Sequence, residues 1–127
     1  MSPEPNRLPA LAGQRYLNVE TYRRTGQAVR TPVWFAADRD IVYVYSLANA
    51  GKVKRIRNNP RIRIAPCDAR GTLKGTWVDA TARIVDEGEA VHAHALFVAK
   101  YGWLKRVADL ARKIRPKPRA VIAIVAS

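Results

Sequence analysis

Short β-branched and aromatic segments recur every ~8–15 residues, each closed by a turn signal, and that rhythm points to a small barrel or sandwich. Arg15–Tyr22 sets Leu17, Val19 and Thr21 against Tyr16, Asn18, Glu20 and Tyr22, the pattern of a half-buried strand. Arg24-Thr25-Gly26-Gln27 supplies a hairpin turn whose glycine tolerates a positive φ. Ala28–Ala37 follows as a strand, and Pro32 inside it marks an edge, a bulge or an outer side that faces a ligand. Beyond the Asp38-Arg39-Asp40 turn, Ile41–Leu47 is apolar on both faces, as a strand covered from both sides must be.

The second half keeps the rhythm and adds helices. Val53 and Ile56 stand at helical spacing in Gly51–Asn59, and Pro60 ends that helix by disfavouring a helical residue before it. Arg61–Cys67 is a strand, Asp68–Gly71 a turn and Thr76–Val85 another strand. Glu87–Tyr101 is a helix, and after Gly102 a second amphipathic stripe runs from Leu104 to Ala111. A basic connector, Arg115–Arg119, leads to the closing strand Ala120–Ala126. The expectation is one α+β domain over residues 1–127, mainly β, with about six strands and a helical segment before the last. Residues 1–13 are a candidate docking helix. A hydrophobic fraction of 48% in 127 residues suffices for one real core.

Charge is where the composition is unusual. The net charge of +13 favours a polyanionic ligand, a nucleic acid or an acidic membrane surface. Six bases and no acid lie between Lys52 and Arg63, and they begin at a helix N-terminus, where the macrodipole already disfavours cations. A strand ending at Ser46-Leu47, a small-residue loop with Gly51 and then a helix start form an anion site, because free backbone N–H groups face outward there. Lys52 with Arg55, and Lys54 with Arg57, flank the Val53/Ile56 stripe at i,i+3. A second basic cluster, Lys100–Arg119, holds eight bases against Asp109 alone; much of it is the polar side of an amphipathic helix, and plain surface explains it as well as a binding role does.

Side-chain catalysis has little to work with. His92 and His94 sit two apart on a helix and point away from each other, so no metal site is expected, and both read as surface or interface residues. Cys67 reads as a buried or idle thiol, and as the single cysteine it fits a reducing cytosol. Asp38 and Asp40 are turn residues. No apolar run approaches the ~18–20 residues of a membrane span, and the start Met-Ser-Pro-Glu-Pro-Asn-Arg has no apolar signal core. A soluble, cytoplasmic protein is expected.

Taken in order, several of these segments resemble one family over nearly the whole chain. They are Tyr16-Leu17, the hairpin Arg23-Arg24-Thr25-Gly26, Thr31-Pro32-Val33-Trp34-Phe35, the run from Gly51 to Arg61, and Ala65-Pro66-Cys67-Asp68-Ala69-Arg70-Gly71. The chain resembles the pyridoxamine-phosphate-oxidase-like (PNPOx-like), FMN-binding split β-barrel oxidoreductases, and within them the actinobacterial branch that uses the deazaflavin coenzyme F420. The resemblance implies a homodimer with cofactors in two grooves at the subunit interface. It places Thr31, Pro32, Val33 and Trp34 beside the flavin or deazaflavin ring, and Ser46, Gly51, Lys52, Arg55 and Arg57 around the phosphate, with Lys52 as the best match. It offers Trp77 as a lid, a position that barrel core would explain equally well.

The activity it implies is hydride transfer between reduced F420 and an electron-poor organic substrate, the cofactor carrying the chemistry. The phosphodiester, lactyl group and polyglutamate tail of F420 suit a +13 host better than the single phosphate of FMN. Three alternatives stand beside it: an FMN-binding oxidoreductase of the same fold, a non-catalytic cofactor carrier, and a basic nucleic-acid-binding barrel. The last is disfavoured, since no RNP-like motif is present and Tyr43 and Tyr45 lie on a core strand.

Overall fold

A computed structural model describes residues 11, 13–47, 50–102 and 119–126, of Leu47 and Arg119 the backbone only. The elements are β1 (Tyr16–Tyr22), β2 (Ala28–Asp38), β3 (Ile41–Leu47), α1 (Gly51–Asn58), β4 (Arg61–Cys67), β5 (Val78–Ile84), α2 (Glu87–Tyr101) and β6 (Arg119–Ala126). The strands close an antiparallel barrel in the order β1-β2-β3-β6-β5-β4. Gly26, at φ 90°, turns the β1–β2 hairpin, and Arg39, at φ 56°, turns β2 into β3.

Side-chain alternation sorts the strands into an inner and an outer face. Leu17, Val19, Phe35, Val44, Ile64 and Ile122 point inward and are essentially unexposed. Helix α1 plugs one end of the barrel by inserting Val53 and Ile56 into that core. Helix α2 covers the outer face of β2, β3 and β6, where Ala93, Phe97 and Tyr101 pack on Ala36, Tyr43 and Val121. It starts cleanly: the Asp86 side chain accepts from the Glu89 N–H at 2.9 Å, and Glu87 and Glu89 favour the positive helix end. This double cover is why Ile41–Leu47 is apolar on both sides.

Three expectations need correcting. Strand β1 is buried on both faces rather than one, because arginines and the 68–77 segment close over Asn18 and Glu20. Strand β5 begins at Val78, so Trp77 precedes it instead of lying on it. Helix α1 ends at Asn58, with Asn59 already extended as its C-cap. The docking helix at residues 1–13, the Leu104–Ala111 stripe and most of the Arg115–Arg119 connector lie outside the described residues.

The barrel wall is incomplete at one seam. Strand β2 pairs with β1 along Ala28–Trp34, but with β3 only from Phe35 to Asp38. Strand β3 pairs with β6 throughout, so its Tyr45–Leu47 end leaves β2 behind. Along Ala28–Trp34 the β2 edge opposite β1 has no strand neighbour among the described residues. Pro32 sits in this stretch, where a residue without an N–H has only one ladder to disturb.

Candidate functional site

The barrel end plugged by α1 gathers cations, and among the described residues no acid is paired with Lys52 or Arg55. Helix α1 has Ala50 as an N-cap without a side-chain cap bond, and no acidic residue in its first turn. Lys52 is 9% exposed, and its side chain makes no hydrogen bond or ion pair among the described residues. Burial, and secondarily the charge of Arg55, hold its pKa below the ordinary lysine value. Arg55 is half-buried, and its Nε donates to the inward-facing Thr21 hydroxyl at 2.7 Å. Burial and the neighbouring Arg23 lower its pKa as well.

An ammonium group taken from water without a counter-charge is costly, and an anion entering from outside would offset that cost. Glu20, next to Thr21 on β1, is already committed on the outer wall. Its carboxylate accepts from Arg30 Nε and Arg63 Nε, both at 2.7 Å, and from the Tyr22 hydroxyl at 2.6 Å. The Arg63 hydrogen bond, against the opposing effect of burial, pulls its pKa down to about 2.

The other site residues expected from sequence fall into two groups. Ser46, near the end of β3, is half-buried opposite Ala120, and Gly51 opens α1, so both belong to the same barrel end as Lys52 and Arg55. Arg57 is exposed in the last turn of α1. Thr31, Pro32, Val33 and Trp34 form the open β2 edge that runs away from this end. Thr31 and Val33 oppose the core residues Val19 and Leu17, while Trp34 turns outward and stacks on Tyr101 at 5.1 Å.

Trp77 is elsewhere within the chain. Arg30 and Arg63 lie over its ring at 4.9 and 5.2 Å, on the outer wall centred on β1. His92 bonds Asp38 at 2.7 Å and His94 bonds the Tyr45 hydroxyl at 2.9 Å, which makes both histidines ties between α2 and the barrel. Cys67 is buried, and its thiol pKa is raised by that burial. Sequence reading missed Thr21 as a partner of the cations. Its signal was a polar residue in phase with the inward Leu17 and Val19.

The fold and its seam define the class, a PNPOx-like split β-barrel, with six antiparallel strands and two helices among the described residues. Residues 5–127 match the model of the pyridoxamine 5′-phosphate oxidase family, and the chain belongs to that family. Among solved structures it is similar to a conserved hypothetical protein from Mycobacterium tuberculosis, at 24% identity and a TM-score of 0.67 over 90% of this chain and 74% of that one. A heme storage protein from Vibrio cholerae matches at 14% identity and TM-score 0.69, covering 91% and 83% of the two chains. An FAD-binding protein from Mesorhizobium loti matches at 17% and 0.62, covering 92% and 82%. A search of the curated proteins finds no significant match.

Proposed function

We propose that this protein is an F420-dependent oxidoreductase that moves a hydride between reduced F420 and an electron-poor organic substrate. The observation that carries the reading is Lys52, an amine held at 9% exposure beside Arg55 without an acid among the described residues. Such a site fits an anionic cofactor, and Lys52 and Arg55 would hold its phosphodiester while the exposed Arg57 attracts the acidic tail. F420, when bound, supplies the hydride chemistry. Thr31–Trp34 line the ring along the open β2 edge, and Ser46 and Gly51 let the chain approach the phosphate closely. A second copy of the chain completes the groove, so that the working unit is a homodimer.

The second reading places FMN in the same seam, and it is favoured by the structural likeness to an FAD-binding protein. Titration of the protein with oxidised F420 and with FMN separates the two, together with the absorption spectrum of any chromophore that copurifies. Tighter binding of F420 is the expected result. Equal or tighter FMN binding, or a yellow flavoprotein as isolated, overturns the assignment. Hydride transfer itself is checked by mixing reduced F420 with quinone or conjugated-alkene substrates, where the absorbance of oxidised F420 should return as the substrate is reduced.

A further inference from the structure

Arg55 is held in an unusual way for an anion-binding arginine. Its Nε donates to the Thr21 hydroxyl at 2.7 Å, and Thr21 is itself only 1% exposed, inside the end of the barrel. The far end of the same side chain folds back over the first residue of its own helix. A Cβ on Gly51 would stand 2.6 Å from Arg55 Nη1, closer than carbon and nitrogen tolerate. The guanidinium is therefore held by one bond, from its Nε to a buried hydroxyl on β1, while its far end lies in space that the missing Cβ of Gly51 leaves open. Lys52, the unpartnered amine, is close enough for Arg55 to depress its pKa.

Left to itself, an arginine next to a buried lysine and near Arg23 would swing into water, because all three charges are alike. A neutral hydroxyl acceptor holds it without neutralising it. We propose that Thr21 is a positioning residue for the anion site, which holds Arg55 beside Lys52, over the space that Gly51 leaves open, so that both cations address one ligand. The inference rests on the proposed function for the identity of the ligand, but not for the existence of the site. A carboxylate at position 21 would tether the arginine more strongly and would also cancel the charge that the ligand needs. Threonine gives direction and leaves the charge free.

Binding of two probes, oxidised F420 and inorganic pyrophosphate, is measured on the wild-type protein and on Thr21→Val, Thr21→Ser, Gly51→Ala and Arg55→Ala. Thr21→Val is expected to weaken both probes about tenfold, as loss of a hydrogen bond that orients a charged group does. Thr21→Ser restores affinity to within about twofold, since the hydroxyl is what matters. Gly51→Ala weakens binding like Thr21→Val, and its Cβ acts from the opposite end of the guanidinium. In the Arg55→Ala background Thr21→Val costs nothing further, a non-additivity that a merely structural role for Thr21 does not produce. Folding of each variant is read from its thermal transition, and Gly51→Ala keeps the test open if Thr21→Val does not fold.

Thr21→Val and Gly51→Ala proteins that bind both probes as tightly as wild type overturn the inference. So does an undiminished Thr21→Val effect without Arg55. If pyrophosphate follows the expected pattern and F420 does not bind, the proposed function fails while the positioning role stands. If the wild type binds neither probe, both fail.

Discussion

At the scale of single residues, burial decides what a charge does. Lys52 is a cation from which folding removes water without supplying a partner, so in the ligand-free protein it opposes the fold. Lys52→Ala is expected to leave thermal stability unchanged or raise it, and to weaken F420 binding by about 1.5–3 kcal/mol. Its folded pKa lies below 10.5, so the unfolded chain binds more protons between the two values, and stability rises with pH in that alkaline window. Denaturant midpoints should rise more with pH in the wild type than in Lys52→Ala, where Lys100, lowered to about 8 by burial, still contributes a rise of its own. An alanine variant that binds F420 like the wild type would falsify the phosphate role.

Glu20 shows the opposite sign. Its carboxyl sits at about 2 in the folded protein against 4.5 for the free group, so its stabilisation is complete above 4.5 and disappears as the pH falls towards 2. Arg30 and Arg63 keep side-chain exposures of 54% and 37%, so solvent screens the pairs. Glu20→Gln should cost about 1–3 kcal/mol at neutral pH and make the acid limb of the stability curve shallower.

At the scale of elements, α2 is fastened to the barrel by specific bonds as well as apolar area. The Tyr101 hydroxyl accepts from the Phe35 N–H at 3.0 Å and is also within reach of the Arg15 carbonyl at 2.9 Å and that of Phe35. Tyr101→Phe keeps the ring stack on Trp34 and leaves a buried N–H unpaired, so a loss of about 1–3 kcal/mol is expected in denaturant unfolding. Glu89 adds a further tie by accepting from Tyr43 at 2.8 Å and from both Nη atoms of Arg83 at 2.6 and 2.8 Å. The same helix reaches Trp34 through Tyr101, but along Ala28–Trp34 the β2 edge opposite β1 has no strand neighbour among the described residues. Fastening on one side and openness on the other give the barrel its seam.

At the scale of the whole molecule, charge and the seam act together. A +13 protein attracts a polyanion over several ångströms of water, and salt weakens that attraction as the Debye length shrinks. The association rate with F420 should fall steeply between low and high ionic strength, and that with a neutral flavin analogue should not. The proposed homodimer rests on the unpaired β2 edge, an open strand that invites a neighbour. Large aromatics add nothing to that argument. Phe35 and Phe97 are each 1% exposed, Trp34 stacks on Tyr101, and Trp77 lies beneath two arginines, all within one chain. Light scattering at micromolar concentration is expected to give twice the chain mass. A monomer that still binds cofactor removes the shared groove.

What the sequence determined by itself was local and periodic. The apolar run of Ile41–Leu47, the alternation that opens Arg61–Cys67, the breaks at Gly26 and Pro60, and the acid-free run from Lys52 to Arg63 depend only on neighbours in the chain, and the elements formed where those signals lie. The family resemblance added the split barrel as a whole, and the match over residues 5–127 bears that out. Tertiary structure alone decided which polar groups meet. Glu20 read as the wet side of a strand and became buried because residues 10 and 43 positions away folded over it. Thr21 and Arg55 are 34 residues apart, and nothing in either neighbourhood announces the bond between them. Barrel closure brings such groups together through pairings distant in sequence, whereas periodicity reports only which face of its own strand or helix a residue occupies.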